Sequence, residues 1–119
     1  MTTLFVYGTL KRGGSNHELL SGQRFLGPAR TPPGYTLFSL DAYPGMIEFA
    51  ADHDGVTGEL WSVNDACLAK LDELEGLAIG LYRRGLIELA TPRSTGPVET
   101  YLYLRDLAGR THLGSHWPV

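Results

Sequence analysis

With 119 residues, 43% hydrophobic and 19% charged, the chain has the size and composition of a single globular domain with one core, which leaves no room for a separate cofactor domain. Ten Lys and Arg against thirteen Asp and Glu give a formal net charge of -3, without a basic block able to follow a phosphate backbone, so nucleic acid is set aside as a partner. No apolar run approaches the ~20 residues of a bilayer span, which sets a membrane role aside as well.

The first five residues lack the charged start and long apolar stretch of a signal peptide, and the single cysteine, Cys67, cannot form an internal disulfide; a cytoplasmic protein is expected. Residues 4–7 are a short apolar run with two aromatics, halted by Gly8, and read as a buried first strand. The turn that follows, Tyr7-Gly8-Thr9-Leu10 and on to Ser15, is rich in backbone donors. Successive N–H groups in such a turn can form an anion-binding concavity, with Gly8 allowing close approach to the main chain, although the same segment also reads as an ordinary turn. Gly8 and Gly13 share the spacing of the outer glycines of a phosphate-binding loop. That motif needs Lys then Ser or Thr after the second glycine, where this chain has Gly14 and Ser15, so a nucleotide site is set aside.

A short helix is expected over residues 16–20, and strands over 23–29, 35–40, 46–49 and 56–63. The clearest helix covers residues 64–75, with Asn64 as N-cap, Asp65 in the first turn and Gly76 as the stop. On a helical wheel Cys67, Leu68, Leu71 and Leu74 form one apolar stripe. Glu75 falls within that arc, seven positions after Leu68 and four after Leu71, whereas Glu73 faces away and Asp72 lies near the edge. An inward carboxylate at the negative end of a helix dipole is pushed toward its protonated form, upward from the ~4.3 of a free Glu, into a range where one group accepts and returns a proton. A frayed last turn would instead direct Glu75 to solvent.

Strands over 82–90 and 99–105 complete the pattern. In the latter Tyr101 and Tyr103 share one face, with Leu102 and Leu104 on the other, so both faces need cover. The expected fold class is α+β, a small mixed barrel-like sheet flanked by about two helices. His17, His53, His112 and His116 lack compact ligand spacing, so no metal is expected. Cys67 reads as a core residue rather than a nucleophile, and Ser15 and Ser39 have no recognisable base.

Taken in order, Tyr7-Gly8-Thr9-Leu10, Leu71-Asp72-Glu73-Leu74-Glu75-Gly76 and Tyr82-Arg83-Arg84 resemble the gamma-glutamylcyclotransferase-like family. Lys11-Arg12-Gly13 and Asn16-His17 bring the likeness nearest to its gamma-glutamylamine cyclotransferases, and Gly58-Glu59-Leu60-Trp61 matches the family's central strand. The resemblance implies that the Tyr7-Gly8-Thr9-Leu10 turn holds a γ-glutamyl group, binding its α-carboxylate or the developing oxyanion, and that Glu75 is the catalytic acid/base. Tyr82 would border the pocket or pack beside the helix, and Arg84 would form a structural ion pair. The implied reaction is attack of the substrate's α-amine on its own γ-carbonyl, giving 5-oxoproline and the released amine with no cofactor. The implied partner is a small γ-glutamyl molecule whose amine is left open, with residues 31–34, 42–45 and 113–119 expected to shape that half of the pocket. The alternatives are a binding module for a small acidic metabolite and a hydrolase in which Glu75 activates water. No pattern points to an oligomeric state.

Overall fold

The computed structural model, which describes residues 1–93 and 96–119, is α+β and layered by strand alternation. In β1 (Thr2–Val6) Leu4 and Val6 join one apolar cluster while Phe5 joins another. The same split recurs in β5 (Thr57–Val63), with Trp61 and Val63 against Leu60, and in β7 (Glu99–Tyr103), with Tyr101 against Leu102. A strand apolar on both faces must lie in the middle layer.

That layer is a five-stranded sheet. With β2 (Arg24–Arg30) and β6 (Tyr82–Leu86) at its edges, it runs β2-β5-β1-β7-β6. One face packs on α1 (Asp65–Leu74) through Cys67, Leu68 and Leu71. The other packs on a three-stranded sheet of β3 (Tyr35–Ser39), β4 (Pro44–Glu48) and β8 (Thr111–Gly114), ordered β4-β3-β8, through Leu37 and Met46.

The covered second face read from the sequence is therefore real: a second sheet covers it, and the main sheet is not closed. Its edge strand β2 shifts register between Phe25 and Gly27, a bulge that blunts the edge. Of the two expected helices only α1 is α-helical. His17–Leu20 is one 3-10 turn, too short to complete an α nucleus, and a further 3-10 turn spans Leu77–Ile79. β6 stops at Leu86 because its partner register beyond Ile87, which bonds to Val98, meets Pro97, which has no N–H to extend the ladder. β8 was not expected, since its residues are polar or half-exposed and lack alternation.

The pairing of β1 with β7 is parallel, Leu4 opposite Glu99, while β1–β5 and β6–β7 are antiparallel. The carboxyl ends of β1 and β7 thus lie side by side. The first turn, the helix end and the start of β6 meet there. No described helix is long and apolar enough to cross a membrane.

Candidate active site

The turn after β1 is held from several directions. The Asn16 backbone N–H donates to the Thr9 carbonyl at 3.0 Å, and its side-chain amide donates to Thr9 Oγ1 at 3.0 Å. His17 Nδ1 lies 3.0 Å from the Leu10 carbonyl oxygen, with the ring edge-on to Trp61. Lys11, buried as a residue, donates its ammonium to the Trp117 carbonyl at 2.6 Å, and burial lowers its pKa. Glu59 on β5 accepts from the backbone N–H and Nε of Arg12 at 3.0 and 3.1 Å and from Trp61 Nε1 at 3.2 Å.

Apart from the Arg12 N–H, these contacts use the turn's carbonyls and side chains. Among the described residues the N–H groups of Gly8, Thr9 and Leu10 have no protein acceptor. Three consecutive uncommitted donors in a rigid turn form a preorganised cradle for a carboxylate or an oxyanion. Gly8 is required for a reason the sequence did not suggest. A Cβ there would lie 2.7 and 2.8 Å from Cγ and Cδ of Pro44, which approaches from the opposite wall.

Helix α1 begins as expected, with Asn64 Oδ1 accepting from the Cys67 N–H at 2.8 Å. It ends one residue before Glu75, whose own N–H still reaches the Leu71 carbonyl at 2.9 Å. Gly76 then adopts the left-handed conformation at φ 64°, which reverses the chain toward β6. Glu75 is thereby fixed at the helix terminus and lines a cavity with the turn. Leu74 departs from the wheel reading: it is 42% exposed at the cavity mouth rather than in the core.

The cavity holds about 130 Å³ and brings together Tyr7, Gly8, Thr9, Leu10, Glu75 and Tyr82. Sequence reasoning missed Asn16, Leu81 and Tyr101 as lining residues, which also border it. Of the segments expected to shape the amine half, only residues 42–45 contribute, through Tyr43 and Pro44. Among the described residues Glu75 is the one charged side chain in the lining. Burial in this apolar setting raises its pKa to about 7.

The three tyrosines beside it have their protons directed elsewhere. Tyr7 donates to the Tyr101 carbonyl at 2.6 Å while accepting from the Met46 N–H at 3.3 Å. Tyr82 donates to the Pro44 carbonyl at 2.7 Å, and Tyr101 to Asp72 Oδ1 at 2.7 Å. Burial raises all three phenol pKa values, reinforced at each by the negative charge of Glu75, so the hydroxyls stay neutral. No described donor contacts the Glu75 carboxyl, which is left as an open acceptor facing the cavity.

Arg84 stands behind this wall, paired to Asp72 at 3.0 Å and to Glu99 at 2.6 Å. It ties α1 to both β6 and β7. The histidines are scattered: His112 Nε2 meets Thr36 Oγ1 at 2.7 Å and His116 Nδ1 meets Thr57 Oγ1 at 3.1 Å.

A carboxyl with its pKa near 7 thus shares one cavity with a turn of N–H donors, an arrangement suited to acid–base chemistry. The profile of the family described as Gamma-glutamyl cyclotransferase, AIG2-like, matches residues 4–118, and the chain belongs to that family. A Vibrio cholerae relative with a provisional gamma-glutamylcyclotransferase name is 44% identical over 109 residues, covering 92% of this chain and 86% of its own. A Bos taurus gamma-glutamylaminecyclotransferase is 33% identical over 110 residues, 87% of this chain and 65% of that protein. The crystal structure of a uropathogenic E. coli-specific protein superposes with a TM-score of 0.76 at 31% identity, covering 96% of this chain and 91% of the other.

Proposed function

We propose that the chain cyclises γ-glutamyl amines to 5-oxoproline, with Glu75 moving the protons. The observation that carries this reading is the Glu75 carboxyl, with its pKa near 7 and no donor among the described residues, in one cavity with the N–H groups of Gly8, Thr9 and Leu10, which have no acceptor among them. The substrate's α-ammonium gives a proton to Glu75, and the freed amine attacks the γ-carbonyl carbon. A carbon–nitrogen bond forms within the substrate and the original amide bond breaks. Glu75 returns its proton to the departing amine, and the second proton shed by the new ring nitrogen leaves with that amine as its ammonium form. No water is consumed and no electrons change hands.

The cradle receives the substrate's negative oxygen, and the buried tyrosines exclude water without competing for the carboxyl. Holding amine and carbonyl of one molecule in contact adds a proximity advantage to the acid–base contribution. The name of the Bos taurus relative, gamma-glutamylaminecyclotransferase, supports an amine as leaving group, and the buried Cys67, outside any disulfide, fits a cytoplasmic setting.

The test is incubation with a panel of γ-glutamyl amines and dipeptides, with products identified by mass spectrometry. 5-Oxoproline with an equimolar amine is expected, and its loss in the Glu75→Gln protein. Free glutamate in place of 5-oxoproline would overturn cyclisation in favour of hydrolysis; saturable binding without turnover would make the pocket a sensor.

A further inference from the structure

Val6, the last residue of β1, pairs with Glu59 on β5, so Glu59 stands in the middle layer directly beside the start of the turn. Trp61, two residues on, shares its face and belongs to the cluster under α1. Glu59 is 9% exposed. A carboxylate in such a place is costly unless its oxygens are used, and both are. Oε1 accepts from the Arg12 backbone N–H at 3.0 Å and from Trp61 Nε1 at 3.2 Å, and Oε2 accepts from Arg12 Nε at 3.1 Å. Glu59 does not line the cavity.

The turn's backbone donors divide three ways from Gly8 to Arg12. The Lys11 N–H closes back on the Gly8 carbonyl at 3.1 Å. The Arg12 N–H goes to Glu59. Those of Gly8, Thr9 and Leu10 have no acceptor among the described residues. Asn16 and His17, which hold the Thr9 and Leu10 carbonyls, belong to the same loop and move with it. Lys11 reaches the Trp117 carbonyl only through its long side chain. The bond from Arg12 to Glu59 is therefore the described main-chain donor that joins the turn to the central sheet. The same carboxylate holds Trp61, whose ring backs His17 edge-on at 5.4 Å between centroids.

We propose that Glu59 is a positioning residue for the reaction: by fixing the Arg12 N–H to the sheet, it sets the direction of the Gly8, Thr9 and Leu10 N–H groups before substrate arrives. Donors held in place need no reorganisation when charge develops in front of them. The link to turnover rests on the cyclotransferase reading above; the ordering of the turn does not.

The test uses Glu59→Gln, which keeps the shape but sets an amide where a carboxylate accepted three N–H groups. In the ligand-free protein, amide ¹H–¹⁵N spectra should show the Arg12 signal displaced and the heteronuclear NOE lowered from Gly8 to Arg12, with α1 unchanged. Kinetically, kcat/KM should fall by about tenfold, while its acid limb stays at about 7, because Glu75 is untouched. Glu59→Asp, shorter by one methylene, gives the same two readings if the glutamine protein does not fold.

A turn as ordered as in the parent would overturn the proposal, as would loosening spread through the whole fold, which would make Glu59 a stability residue only. A loosened turn with kcat/KM unchanged would also overturn it. If the turn loosens and no 5-oxoproline forms from any substrate, even with the parent, the ordering role stands and the cyclotransferase reading alone fails.

Discussion

Replacing Glu75 by Gln should lower turnover sharply and yet stabilise the protein above neutral pH. Burial moves the carboxyl from an ordinary 4.5 to about 7, so the folded protein binds this proton more tightly than the unfolded chain. A folded pKa above the unfolded one contributes stability that is fully present below about 4.5 and is lost as pH rises through about 7. At about 1.4 kcal/mol per pH unit the whole window is worth on the order of 3 kcal/mol, and closer to 2 once solvent at the cavity mouth screens the charge. The Glu75→Gln protein carries no such charge and keeps a similar shape.

Urea unfolding of parent and variant at pH 5 and pH 8 should therefore show the gap between them moving in the variant's favour by about 2 kcal/mol. In thermal scans the same shift corresponds to about 8 °C at the higher pH. A parent-to-variant difference that does not change between the two pH values would refute the reasoning, because the carboxyl would then not be buried in its charged form.

Three further outcomes are expected. The parent's kcat/KM should fall on the acid side with an apparent pKa of about 7, and turnover by the Glu75→Gln protein should be lower by about 10² to 10⁴; a flat profile down to pH 5 would assign the proton transfer elsewhere. Gly8→Ala places a Cβ against Pro44 and should raise KM about tenfold while destabilising by about 1–3 kcal/mol, readable in steady-state kinetics and urea melts. Arg84→Lys removes the fork that spans Asp72 and Glu99 and should lower stability by about 1–2 kcal/mol despite keeping the charge, with denaturant midpoints as the measure.

How much of this was legible beforehand depended on whether a feature is local. Asn64 announces its cap by residue type, and Gly76 its left-handed stop. The spacing from Leu68 and Leu71 to Glu75 is a property of any α-helix, so the inward carboxylate could be read from periodicity. The same rule failed one residue earlier, because the surface that Leu74 faces is a cavity mouth rather than packed core. Asn16, Leu81 and Tyr101 lie on separate segments, and their convergence depends on the parallel β1–β7 contact, which no short pattern specifies. The covered outer face of β7 was visible in its alternation, but a second sheet and a closed barrel impose the same alternation.

That parallel contact has a consequence for how the protein is made. Tyr7 leaves the ribosome early, and the carbonyl that takes its hydroxyl belongs to Tyr101, 94 positions later. Until the seventh strand docks, the Tyr7 hydroxyl lacks the acceptor for its proton. Pairings this distant in sequence also form slowly. A nascent or severed chain can therefore hold the helix and the antiparallel β1–β5 pairing without a complete site. Turnover is thus a faithful report of complete folding, and complementing fragments cut in the loop after β6 should regain activity only on reassembly.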